Sequence, residues 1–183
     1  MTLSTLDTIS ALVVIDTQKG IVSLPTVHPS ADIVDRIRQL TQAFRKRNLP
    51  VILVNVAGLA PGRTETGMKG FNPPAEWIEL IDELEHQPED HLITKHRWGA
   101  FHGTALDDLL RGSGATQVVL AGIATSMGVE STARSAYDLG YNVALAVDAM
   151  TDLNHDAHKH SVEKIFPMLG EISTTDEVLA FLA

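Results

Sequence analysis

The stretch GIATSMGVESTARSAYDLGY, residues 122–141, decides the fold. It follows Val118, Val119, Leu120 and Ala121, an apolar run of the kind that fills a strand buried on both faces. Ala133, Ala136 and Tyr137 then recur at helical spacing, and Gly140 offers a C-terminal stop. The pattern predicts strand, sharp turn, helix. Such turns set side chains and helix N–H groups at the carboxyl edge of a parallel sheet, where open α/β proteins bind ligands.

Strand and helix signals alternate on both sides of this stretch. Upstream, Ala11, Leu12, Val13, Val14 and Ile15 make a central parallel strand closed by Asp16. Ser30 is a candidate N-cap for a helix with Ala31, Ile33, Ile37, Leu40 and Phe44 on one stripe, ending near Asn48, Leu49 and Pro50. Residues 51–56 form a second strand. Over residues 57–74 the periodicity disappears, and Gly58, Pro61, Gly62, Gly67, Gly70, Pro73 and Pro74 break the backbone. A loop of that length in a compact domain is usually functional or mobile, and it reads as a wall or lid over the site. A short helix at 75–84 precedes a third strand, residues 91–94, which ends at Lys95. A helix over 104–111 turns Leu106, Leu109 and Leu110 to the core. Downstream of the central stretch come a fifth strand at 142–147, followed by a structural Asp148, then a helix at 156–166. A weak sixth strand at 171–173 and a closing helix at 176–182 complete the chain. No repeat, low-complexity tract or linker interrupts it. The expectation is one domain over residues 1–183, a three-layer α/β/α sandwich around a mostly parallel six-stranded sheet.

Bulk properties narrow the function. A chain of 183 residues can bury a substantial core without staples, and 44% hydrophobic with 20% charged residues is ordinary globular composition. A formal charge of −9 and a pI near 5.2 argue against nucleic-acid or anionic-membrane partners. A small anionic substrate stays open, because one local cation can hold a carboxylate. With no cysteine in the chain there is no disulfide and no cysteine–zinc site. The N-terminal residues lack a basic leader with a signal-length apolar core, and no apolar run approaches spanning length, so the cytoplasm is the expected location.

Asp16 and Lys95 close parallel strands, and the turn leading to Gly128 closes another, so all three positions can converge at one sheet edge. An acid and an amine within reach would perturb each other's pKa, as catalytic groups require. By pattern alone an Asp after a strand is more often a cap or loop anchor.

The motifs carry a resemblance. Gly122, Ile123, Ala124, Thr125, Val129, Thr132, Ala133 and Ala136 fit the turn of the isochorismatase-like hydrolases, or cysteine-hydrolase superfamily. Asp16 in VVIDTQKG and Lys95 in ITKHRWGAFHGT resemble two members of that family's Asp–Lys–Cys triad. The position of its nucleophilic cysteine is occupied by Gly128. The likeness runs from the first strand to the last helix, is weakest across 57–74, and is nearest to small bacterial members carrying Gly-Val-Glu-Ser-Thr-Ala-Arg in the turn. It implies the sandwich fold, a small-molecule substrate, no cofactor and a homodimer or higher homo-oligomer. It also implies a non-proline cis peptide at Ile123-Ala124. Substrate contacts are implied at Ile123, Ala124, Thr125 and Met127, at Trp98 and Phe101, and at Arg63 in the loop.

Glycine supplies no nucleophile, which disfavours thiolate amidase chemistry. Vinyl-ether hydrolysis of the isochorismatase type needs none: an acid protonates the vinyl carbon and water adds to the oxocarbenium ion. By analogy Asp16 is that acid, with a raised pKa in a partly buried site. Lys95 holds a substrate carboxylate or positions Asp16, and Gly128 leaves room for substrate or water. Two rivals remain: a silent binding homologue that lost the thiol, and a hydrolase using Ser126. The local Ala-Thr-Ser-Met-Gly is not a G-x-S-x-G elbow, and a helix N-cap is the plainer role for Ser126. His155, His158 and His160 resemble a metal cluster but fit a polar helix start better. The resemblance implies an Asp-x-His after the second strand in nicotinamidase-like members that hold a metal; Asn55-Val56-Ala57 stands there in this chain, so no metal is expected.

Overall fold

The structure is a computed structural model that describes residues 3–66 and 71–183. Six parallel strands form one sheet, β1 (Ser10–Ile15), β2 (Val51–Val56), β3 (His91–Lys95), β4 (Gln117–Ile123), β5 (Asn142–Thr151) and β6 (Glu171–Ser173), in the order β3-β2-β1-β4-β5-β6. The order reverses at β1, and ligand crevices of open α/β sheets lie at that kind of switch point. Every residue of β1, β2 and β4 is buried, which is why those runs carry no polar alternation.

Helices cover both faces. They are α1 (Lys19–Val22), α2 (Ser30–Lys46), α3 (Ala75–Ile78), α4 (Leu106–Ser113), α5 (Glu130–Asp138), α6 (His155–His160), α7 (Phe166–Leu169) and α8 (Thr175–Leu182). On one face Ile33, Ile37, Leu40 and Phe44 of α2 join Val178 and Leu182 of α8 over Leu12, Val14 and Leu53. On the other, Leu106 and Leu110 of α4, Ala133 and Ala136 of α5 and Phe166 pack over Val13, Ile15 and Leu120. The alternation along β1 between the two clusters is the period-2 projection of a strand. The three-layer α/β/α sandwich is thus present. No helix among the described residues is long and apolar enough to cross a membrane.

Several boundaries depart from expectation. Ser30 is the first residue of α2, with Pro29 in the cap position and no side-chain cap bond. The helix expected at 75–84 is broken, because Lys19 N–H bonds the Glu79 carbonyl and Leu80 bridges Gln18, leaving only α3 and a 3-10 turn at Asp82–Leu84. The 104–111 helix starts late, at Leu106, after Thr104 Oγ1 has accepted the Leu106 N–H. The fifth strand runs on to Thr151 past an irregularity opposite Leu120 and Gly122, so Asp148 lies inside it. There Asp148 accepts bonds from Arg36 of α2 and from the Thr175 N–H and hydroxyl of α8. The 156–166 helix is divided by a π-turn at Ser161–Ile165, next to Pro167, whose missing N–H cannot continue the ladder. Gly67 and Gly70, two breakers of the long loop, lie outside the described residues.

Candidate active site

β1 ends by turning. Asp16 takes a left-handed conformation (φ 51°), which Asp tolerates better than most residues, and the strand direction is lost there. Its N–H is still held by the Val54 carbonyl at 2.8 Å. Lys95, the last residue of β3, stands two strands away, beyond β2. Its side chain spans that gap, and Nζ donates to Asp16 Oδ2 at 2.8 Å and to the Arg97 carbonyl at 3.1 Å. The Lys95 and Asp16 side chains are only 1% and 8% exposed.

Burial dominates the electrostatics. It lifts the Asp16 carboxyl from 3.8 to about 6, against the opposing pull of the Lys95 charge and hydrogen bond. Asp16 Oδ1 is buried without a hydrogen-bond partner among the described residues, as is the neighbouring Thr17 hydroxyl. An ionised carboxyl with one orphaned oxygen is costly, so the neutral form persists up to about pH 6. A group poised there can donate a proton.

The third position arrives from β4. Gly122 (φ 123°) lies so close to β1 that a Cβ would come 2.1 Å from the Ile15 carbonyl oxygen, so only glycine fits. The Ile123-Ala124 peptide is cis. A π-turn over Thr125–Val129 follows, and Gly128 within it is buried, its Cβ position 3.2 Å from Asp16 Oδ2 and 3.6 Å from the Trp98 carbonyl. Asp16, Lys95 and Gly128 are therefore brought together.

Of the other expected contacts, Ile123, Ala124, Thr125 and Met127 share the turn that carries Gly128. Ile123 and Ala124 are buried, and Met127 is 37% exposed. Thr125 is fully buried, with its hydroxyl within bonding distance of the Thr151 carbonyl and of His158 Nδ1, so it faces inward. Trp98 is 54% exposed beside the pair. Phe101 packs against the core and stacks on Tyr141 at 6.0 Å, which makes it a packing residue. Arg63 is exposed on the loop, and no described contact ties it to Asp16 or Lys95.

Ser126 is not an N-cap; it lies inside the π-turn, whose cap position is Ala124. Among the described residues nothing hydrogen-bonds its hydroxyl. The histidines also separate. His158 turns to Thr125 and sets its ring edge-on to His28 at 4.8 Å, and burial followed by the His28 charge lowers its pKa. His155 sits 3.5 Å from Asp156 at the surface. Among the described residues no group of three or more metal-ligating side chains converges.

Two supports of the site escape sequence reasoning. Asp152, 1% exposed, accepts the Ser126 N–H at 2.7 Å through Oδ2, and the Leu153 and Asn154 N–H groups through Oδ1. Its signal is slight, an Asp beyond a strand that outruns its apolar stretch. Gln18 lies within the quoted VVIDTQKG. Its Oε1 accepts the Val56 N–H at 2.7 Å, and its Nε2 donates to the Val56 and Trp77 carbonyls, tying β2 and α3 to the residues after Asp16.

Comparison with known proteins agrees with this architecture. The isochorismatase domain pattern matches residues 10–177. The isochorismatase family protein YwoC of Bacillus subtilis (strain 168) is 42% identical over 177 residues, covering 93% of this chain and 92% of that protein. The ureidoacrylate amidohydrolase RutB of Variovorax paradoxus (strain S110) is 38% identical over 106 residues, 57% of this chain and 42% of that one. An isochorismatase family protein from Burkholderia thailandensis superposes with a TM-score of 0.91 at 43% identity, covering 97% of each chain. The domain pattern spans most of the chain and YwoC matches it over 93% of its length: this chain belongs to the isochorismatase family.

Proposed function

We propose that the protein is a hydrolase of a small carboxylated vinyl ether, acting without a covalent intermediate, with Asp16 as general acid. The observation that carries this reading is the buried Asp16 carboxyl, raised to about 6 and 2.8 Å from Lys95, beside a position with no side chain. Protonated Asp16 gives its proton to the terminal vinyl carbon. The ether oxygen stabilises the cation so formed, and water adds to it. The resulting hemiketal collapses to a ketone and an alcohol, and the water's proton restores Asp16. Lys95 keeps the carboxylate form that remains after proton transfer from becoming an unpaired buried charge. RutB carries an amidohydrolase name, but thiolate attack on an amide needs a sulfur, and this chain has no cysteine.

A second reading, a binding protein without turnover, has one observation in its favour: Gly128 sets no nucleophile beside Asp16 and Lys95. The large apolar side chains left half exposed, Trp98 and Met168 among them, support a homodimer or larger assembly, which light scattering would measure.

The test is hydrolysis of isochorismate and a panel of small vinyl ethers and amides by wild type and Asp16→Asn. Turnover of a vinyl ether that is lost in Asp16→Asn supports the acid role. Turnover that survives the substitution sinks it. A folded wild type that binds a panel member without turning it over favours the binding protein.

A further inference from the structure

The site contains a glycine whose neighbours have moved in. Gly128 is buried, and a Cβ built on it would lie 2.8 Å from Ile15 Cγ2 and 3.2 Å from Asp16 Oδ2. Carbon atoms not bonded to each other pack at about 3.5–4 Å, so the first contact is a collision. Ile15 has little means of retreat. It is β-branched, 0% exposed and the last residue of β1, paired to Val54 on one side and Gly122 on the other. The second contact falls on the same carboxyl oxygen that holds Lys95 Nζ.

We infer that Gly128 is a positioning residue for Asp16: the volume of its absent side chain is filled by the Ile15 methyl group and the Asp16 carboxyl. The glycine does not hold a vacancy for substrate; it admits the acid. A side chain at 128 requires Ile15 to shift and the Asp16 carboxyl to give by a few tenths of an ångström. A nucleophile placed here by one substitution therefore disturbs the acid it would work beside. The catalytic meaning of this arrangement rests on the vinyl-ether reading above, whereas the steric claim stands on its own and is tested without substrate.

The experiment follows the Asp16 side-chain carboxyl by carbon-13 NMR across pH, together with urea unfolding, in wild type, Gly128→Ala, Ile15→Ala and the Ile15→Ala/Gly128→Ala double variant. The added methyl presses on the carboxyl oxygen that holds Lys95, and weakening that ion pair favours the neutral acid. The Asp16 midpoint in Gly128→Ala is expected to rise above the wild-type value near 6, and unfolding is expected at lower urea. Should Gly128→Ala fail to fold, the double variant, freed of the colliding methyl, is compared with Ile15→Ala alone. A higher Asp16 midpoint in the double variant supports the assignment, and an equal one overturns it. Wild-type midpoints for both titration and unfolding in Gly128→Ala would likewise overturn it.

Gly128→Cys supplies the complementary arm. It is expected to gain no hydrolysis of the amide panel and to show an Asp16 midpoint displaced from wild type. Amide turnover with an undisturbed Asp16 midpoint would overturn the assignment. If the wild type proves inert toward vinyl ethers, the proposed function fails while these titrations still read the packing at Gly128.

Discussion

Lys95 Nζ reaches past the end of β2 to rest 2.8 Å from Asp16 Oδ2, and the two side chains are almost wholly shielded from water. Burial nevertheless wins over attraction, since the carboxyl is raised rather than lowered. Vinyl-ether hydrolysis by protonated Asp16 is then expected to show kcat/KM constant at low pH and falling tenfold per pH unit above about 6. A pH–rate profile on the best vinyl ether measures this. A profile that rises through the same range would assign Asp16 to the opposite role.

Lys95→Met removes the two influences that hold the Asp16 carboxyl down, leaving burial unopposed. The Asp16 midpoint is expected to move well above 6, carrying the falling limb of the pH profile with it. If Lys95 instead serves only to bind a substrate carboxylate, the variant raises KM and leaves the limb in place. The two outcomes separate on one data set.

The same group shapes stability. Because the folded-state pKa of Asp16 lies above its unfolded value of 3.8, the native state binds the extra proton between about pH 4 and 6. The contribution is fully favourable below pH 4, is lost as pH rises through 6, and is flat beyond. Raising the carboxyl from 3.8 to about 6 makes this contribution about 3 kcal/mol. Urea unfolding of wild type and Asp16→Asn between pH 4 and 7 isolates it, as the difference between the two that changes with pH in this window.

The backbone frame of the site is legible in the sequence, whereas its supports are not. Strands filled by Val, Ile and Leu announce a sheet buried on both faces, and the residue that ends each one is fixed by where the apolar run stops. Asp16 and Lys95 can therefore be named from the residues alone. Phe101 and Arg63 cannot be placed that way, because nothing in a run of residues tells whether a ring will lie on Tyr141 or a loop cation will fold inward. The end of β5 misleads for a similar reason. Asp148 resembles a strand terminator, yet its charge is matched inside the sheet by Arg36 and Thr175, more than a hundred and about thirty residues away in sequence. Polar residues satisfied by distant partners are the ones that local pattern misreads.

Asp152 is expected to matter more than its anonymity in the sequence implies. Its carboxylate accepts three backbone N–H groups, among them that of Ser126 in the turn carrying Gly128. Asp152→Ala leaves all three without this acceptor, and a loss of about 3 kcal/mol is expected by urea unfolding. Asp152→Asn keeps the shape and one acceptor oxygen, and should lose about half as much. Equal, small effects from both would show that water replaces the carboxylate.

Gly20 and Trp77 form the joint between the segment after Asp16 and the far end of the long loop. A Cβ at Gly20 would stand 2.0 Å from Trp77 Nε1, so the indole covers the glycine directly. The Trp77 carbonyl accepts the Gln18 side chain, and the Phe71 ring meets the indole edge-on at 5.0 Å. Gly20→Ala must expel the indole, with an expected cost of about 2 kcal/mol. In a Trp77→Ala background the obstruction is gone, and the same change should be neutral or slightly stabilising, since alanine suits α1 better than glycine. The double-mutant cycle should therefore return a coupling of about 2 kcal/mol. Tryptophan fluorescence should report the expulsion, with Trp98, the only other tryptophan, removed by Trp98→Phe in all variants. Additive stabilities and an unchanged Trp77 emission would show that the indole does not rest on Gly20, and that Gln18 alone moors this segment beside the acid.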